Sequence, residues 1–230
     1  MTTQPKIRGV KACVFDAYGT LFDVAAAARR SADDLGDKSG PLAEIWRTKQ
    51  LQYTWLRSLM GEYVEFWKVT GDALDYALAA TGMRGNPALR RKLMDLYRDL
   101  DAYADAAACL RALKKAGLKT AILSNGSPAM LRAAANSARL SPLLDHVLSV
   151  HPLKIFKPDP RVYRLATKTL KTKPAGICFV SSNAWDAWAG AHFGFRAVWI
   201  NRAGLPPENL PGRIAAEARA LAEVPRLLGL

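Results

Sequence analysis

VKACVFDAYGT, residues Val10–Thr20, is a short apolar run that stops abruptly at an aspartate and passes into a glycine-containing turn. The same design recurs at LKTAILSN (Leu118–Asn125), GICFVSSN (Gly176–Asn183) and RAVWIN (Arg196–Asn201), with a fifth, shorter candidate in HVLSV (His146–Val150). Near-continuous apolar runs of this length read as strands covered on both faces, which is the signature of a parallel sheet. Between them lie helical patterns. AAACLRALKKAG ends on Gly117, and SPAMLRAAANSARL opens with Ser127 as an N-cap and Pro128 in the first turn. Strands alternating with helices predict a doubly wound α/β fold with a mainly parallel sheet. Ligands of such sheets bind at the carboxyl ends of the strands. Asp16, Ser124, Asn125, Ser181, Ser182 and Asn183 should therefore meet in one crevice.

One region breaks the alternation. LAEIWRTKQLQYTWLRSLM, EYVEFWKVTGDALDYALAATG and NPALRRKLMDLYRDL have helical periodicity, with Gly61 and the Gly82–Pro87 stretch between them. The expected organisation is an α/β core formed by residues 1–21 and 99–230. A helical cap, residues 22–98, follows the first strand and covers the crevice.

The 230 residues suffice for one good-sized domain with an insert, and 50% of them are hydrophobic. The first residues lack the apolar core of a secretory signal, and no run is long enough to span a membrane. Cys13, Cys109 and Cys178 form neither a CxxC nor a metal-ligand spacing, so buried thiols in a reducing, cytoplasmic setting are expected. The net charge of +13 is spread along the chain, with clusters at Arg90–Lys92, Lys114–Lys119 and Lys168–Lys173. The clusters fall mostly on helical segments and read first as solvated faces; the functional readings are steering of small anionic substrates and binding to nucleic acid, the latter without a zinc-finger or RNP-type signature behind it. No GxSxG elbow, P-loop or GxGxxG fingerprint is present, which disfavours a His-dependent hydrolase and nucleotide-cofactor chemistry.

A carboxylate at the end of a buried strand either caps a turn or acts as a nucleophile. Here the surrounding motifs decide. DAYGTL, WRTKQLQYTWLRSLM, AILSNGSP, FKPDPRVY and FVSSNAWDA, in this order, resemble the haloacid dehalogenase superfamily, and within it the L-2-haloacid dehalogenases. The resemblance covers nearly the whole chain. It implies the Rossmann-like core of that superfamily with its helical cap. Most members are phosphatases that carry Asp-x-Asp-x-Thr and bind magnesium through further acidic residues. In this sequence Tyr18 replaces the second aspartate, and SSNAWDAW offers only Asp186. A halide needs no proton to leave and brings no phosphate charge to neutralise, so both departures point to carbon–halogen displacement without a metal or other cofactor.

The resemblance implies the following roles. Asp16 attacks C2 of a short (S)-2-haloacid, and water then attacks the carbonyl carbon of the ester, releasing an (R)-2-hydroxy acid. Lys157 keeps Asp16 ionised, Thr20 and Ser181 orient it, and Tyr163 stands near the lysine. Arg47 reaches from the cap to draw off the halide or hold the substrate. Ser124 and Asn125, with the backbone of Ala17 and Tyr18, hold the substrate carboxylate. Asn183 and Asp186 direct the hydrolytic water or stabilise the ester oxygen, and the sequence leaves open which of them acts as base. Tyr18, Leu51, Phe66 and Trp185 line the apolar pocket; Thr48 stands where the family tends to have glutamine, which leaves the pocket's size and the substrate's chain length open. A homodimer fits the family pattern. A metal-dependent phosphatase and a non-catalytic basic module that binds nucleic acid remain the alternatives.

Overall fold

A computed structural model describes residues 6–24, 35–97 and 100–230 of the chain. Among these, six strands form one sheet: β1 (Ala12–Phe15), β2 (Lys119–Ser124), β3 (His146–Ser149), β4 (Ile177–Ser181), β5 (Arg196–Ile200) and β6 (Ala216–Ala218). All pairings are parallel and the order is β3-β2-β1-β4-β5-β6. The four expected strands and the shorter fifth are all present. The sequence reading missed β6, because three residues reading Ala-Glu-Ala carry neither β-branched nor aromatic signal.

β1 lies at the centre, between β2 and β4, with every side chain buried. Central placement explains its unbroken apolar run, since helices cover both faces of the sheet. These are α4 (Ala106–Lys115), α5 (Pro128–Ser137), α6 (Pro160–Leu170) and α7 (Ala184–Phe193), with the short α8 (Val224–Leu227) near the end. Ser127 caps α5, its Oγ accepting from the Met130 N–H, and Pro128 follows at the first helical position.

Helices α1 (Ser39–Met60), α2 (Phe66–Ala80) and α3 (Pro87–Asp95) lie between β1 and α4. α1 buries Leu42, Trp46, Gln50 and Thr54, a single stripe at four-residue spacing, and packs chiefly on α2. Gly61 closes α1 in the left-handed conformation, at φ 73°. The chain leaves the sheet and returns to it at one place: the Asp23 N–H donates to the Asp101 carbonyl, and the Tyr103 N–H to that of Leu21. The boundary expected at residues 98 and 99 lies outside the described residues.

Candidate active site

β1 and β4 end side by side, and the loops after them carry most of the chemistry. Asp16 follows β1 directly and is 6% exposed. The turn after it needs Gly19 at φ +86°, and the Ala17 carbonyl gathers the N–H groups of Thr20, Leu21 and Phe22. The turn carries Thr20 back over Asp16. Thr20 Oγ1 donates to Asp16 Oδ2 at 3.2 Å and accepts from the Ser182 N–H at 2.9 Å. Asn183, the residue before α7, donates through Nδ2 to Asp16 Oδ2 at 2.8 Å.

Lys157 is buried to 1% exposure between two carboxylates. Its Nζ lies 3.1 Å from Asp16 Oδ1 and 2.7 Å from Asp186 Oδ2. Burial alone would lower the ammonium pKa, but Asp16 and Asp186 together hold it above the ordinary lysine value. Asp186 sits in the first turn of α7 and also accepts from the Tyr163 hydroxyl at 2.8 Å and from Ser181 Oγ at 3.2 Å. Burial pushes its carboxyl up from the usual range, against the pull of Lys157 and Tyr163. Burial likewise raises the Tyr163 phenol, with Asp186 adding to the effect. Tyr163 is fully buried, so it is a ligand of the ionic cluster and more than a core aromatic.

Arg47 comes from α1. Its Nη2 donates to Asn183 Oδ1 at 2.8 Å, and its Nη1 to Gln50 Oε1 at 2.7 Å. Both partners are neutral, so the guanidinium keeps its charge for an anion in the cleft. Gln50 is fully buried and donates in turn to Thr70 Oγ1 at 2.8 Å, while Thr70 donates to the Phe66 carbonyl. A hydrogen-bonded chain thus runs from α2 through Gln50, Arg47 and Asn183 to Asp16.

Tyr18 is 3% exposed, packs on Phe66 with ring centroids 5.9 Å apart, and has a buried hydroxyl without a hydrogen-bond partner. Its ring end lies against Gly126, where an added Cβ would come within 2.8 Å of Cε2. Tyr18, Arg47, Tyr97 and Asn183 line a cavity of about 250 Å³. Ser124 ends β2 and Asn125 follows it: Ser124 Oγ accepts from the Gly126 N–H, and Asn125 Oδ1 from the Lys157 N–H.

Other expected residues lie further out. Leu51 is half-buried on α1, one turn beyond Arg47. Trp185 meets Trp55 edge-on and, with Phe156 and Tyr163, lines a second cavity of about 1020 Å³, apart from the one at Arg47. Thr48, next to Arg47 on α1, is exposed. Sequence reading missed Gln50 and Arg202. Gln50 carried one signal, a polar residue on the buried stripe of α1. The guanidinium of Arg202 gathers the carbonyls of Gly19 and Thr20 and the hydroxyl of Ser182.

The donor set does not fit a divalent cation held as in the phosphatases of the superfamily. Tyr18 stands where the second carboxylate would be, and the Lys157 ammonium already bridges Asp16 and Asp186. Among the described residues, no three His, Cys, Asp or Glu side chains are placed to share an ion.

A sheet of this order, a buried carboxylate at the end of its central strand and helices inserted after that strand define a doubly wound α/β protein with an inserted helical segment beside its site. The haloacid dehalogenase-like hydrolase family matches residues 10–194, and the chain belongs to that family. A curated relative, (S)-2-haloacid dehalogenase 1 of Pseudomonas sp. (strain CBS-3), is 47% identical over 219 residues, covering 95% of this chain and 96% of its own. A solved dehalogenase with an intermediate complex superposes with a TM-score of 0.94 at 45% identity, covering 96% of this chain and 98% of its own. The L-2-haloacid dehalogenase of Xanthobacter autotrophicus, with chloropropionic acid covalently bound, gives 0.88 at 37% identity over 96% of this chain and 98% of its own.

Proposed function

We infer that the protein is an (S)-2-haloacid dehalogenase, hydrolysing short (S)-2-haloacids to (R)-2-hydroxy acids with a single inversion. The observation that carries the reading is the buried Asp16 carboxylate, paired with Lys157 and oriented by Thr20 and Asn183, below a guanidinium that, among the described residues, has no carboxylate partner. An oxygen of Asp16 attacks C2 from the face opposite the halogen. The C–O bond forms as the carbon–halogen bond breaks, and the halide leaves with the bonding pair. Arg47 stabilises the charge that develops on it. The substrate carboxylate lies against Ser124, Asn125 and the N-terminus of α5, with backbone N–H groups of Ala17 and Tyr18 assisting. Tyr18 and Phe66 flank its alkyl group, with Leu51 one turn further along α1.

Water then attacks Cγ of the ester, guided by Asn183, and Asp186 takes its proton. A carboxyl raised by burial is suited to that task near neutral pH. Collapse of the tetrahedral intermediate expels the hydroxy acid and restores Asp16. Residues 22–98 act as a cap subdomain over a core of residues 1–21 and 99–230, since Arg47 reaches the site from α1.

The three free thiols are buried, which suits a cytoplasmic enzyme. Exposed Leu56, Leu59 and Met60 at the end of α1 support a homodimer through that face. Incubation with racemic 2-chloropropionate and EDTA tests the activity. Chloride release should stop at half the total, leaving the (R)-haloacid and forming (R)-lactate. Magnesium-dependent phosphate release from monoesters, with no chloride, would support the phosphatase instead.

A further inference from the structure

We propose that Arg202 is a positioning residue that clamps the nucleophile loop to the loop carrying Asn183, an inference that rests on the dehalogenase reading. Arg202 follows β5 and touches neither Asp16 nor Arg47. Its Nη1 donates to the Gly19 carbonyl at 3.2 Å and to Ser182 Oγ at 2.6 Å, and its Nη2 donates to the Thr20 carbonyl at 3.1 Å. Its Cζ lies 3.7 Å from the ring centroid of Tyr103, at the return point of the chain from the cap.

The turn after Asp16 directs the N–H groups of Thr20 and Leu21 inward, to the Ala17 carbonyl. The carbonyls of Gly19 and Thr20 face outward, and the planar fork of one guanidinium collects both. The third acceptor, Ser182, belongs to the loop after β4. On the inner side, Thr20 Oγ1 already accepts from the Ser182 N–H and donates to Asp16. Arg202 therefore closes from outside the junction that Thr20 closes from inside, and the angle between Asp16 and Asn183 depends on both.

The clamp has a firm base. Asn201, 3% exposed, donates to the Leu205 carbonyl and to Glu217 Oε1, and its own carbonyl accepts from Arg219 Nη1. A lysine has the charge but gathers its donors on one nitrogen, without the planar fork that serves these three acceptors from Nη1 and Nη2.

The test compares Arg202→Lys and Arg202→Met, the latter retaining the apolar stem against Tyr103, in single-turnover reactions normalised to the number of reactive sites. The expected result is a loss of about 10- to 100-fold in the rate of halide release per site, because small misplacement of a nucleophile has effects of that size. KM should move by less than about threefold, since the contacts to the substrate carboxylate lie at the end of β2. Ser182→Ala should lose less, and combined with Arg202→Met should add little. Dilute guanidinium should restore part of the rate in Arg202→Met. Per-site rates within about twofold of the parent in both Arg202 variants, or a loss fully explained by fewer reactive sites, would overturn the clamp. A parent enzyme that releases no chloride would count against the proposed function, whereas a parent-like Arg202→Lys counts against the clamp.

Discussion

Lys157 shows how single side chains set the chemistry. Its ammonium separates two buried carboxylates, so Lys157→Met should lower stability by about 3–5 kcal/mol, the scale for stranding buried charge, as read by urea denaturation. A drop below about 1 kcal/mol would mean that the cluster does not need its cation. Tyr18→Phe should act in the opposite direction. It removes a buried hydroxyl without a partner and keeps the ring stacked on Phe66, so stability should rise by about 1 kcal/mol. Arg47→Ala should slow halide release by at least about 100-fold; normal halide release would remove Arg47 from the first half-reaction. At this scale, Asp16, Thr20, Lys157, Asn183 and Asp186 were legible because strand ends and motif order placed them together. Arg202 was not. One arginine among 33 basic residues looks like any solvated charge until its three acceptors are seen.

Helices and strands were legible where one periodicity ran long enough. The stripe of α1 and the apolar runs of β1, β2, β4 and β5 are such cases, whereas β6 depends on pairing with β5 for its extended form. Close packing between elements was not legible at all. Gly190, inside α7, faces Phe179 of β4, and a Cβ there would lie 2.6 Å from Cδ1 of the ring. Alanine would gain about 1 kcal/mol in helix propensity, but overpacking a buried ring costs about 1–3 kcal/mol. Gly190→Ala should therefore be destabilising in chemical denaturation, and a gain in stability would show that α7 can shift away from the sheet.

Across the whole molecule, the charge of +13 should draw anionic substrates inward. Dehalogenation measured as kcat/KM should fall severalfold between low and physiological salt, and a salt-independent value would confine recognition to the pocket. The ionic cluster also links folding to pH. Lys157 holds its proton more tightly when folded, so its contribution to stability is complete below the ordinary lysine value of 10.5 and is lost as the pH rises beyond it. Asp186, raised by burial, has the same sign in a lower window: its contribution is complete below the ordinary carboxyl value of 3.8 and weakens as the pH climbs above it. Denaturation midpoints measured in alkali for the parent and Lys157→Met should converge as Lys157 loses its proton.

The central claim is that Asp16 becomes an ester of the substrate. The most direct test is one turnover in oxygen-18 water with enzyme in excess, followed by mass analysis of the peptide containing Asp16 and of the product. The account predicts label in Asp16 and none in the first hydroxy acid released. Label appearing at once in the hydroxy acid, with Asp16 unlabelled, would contradict it.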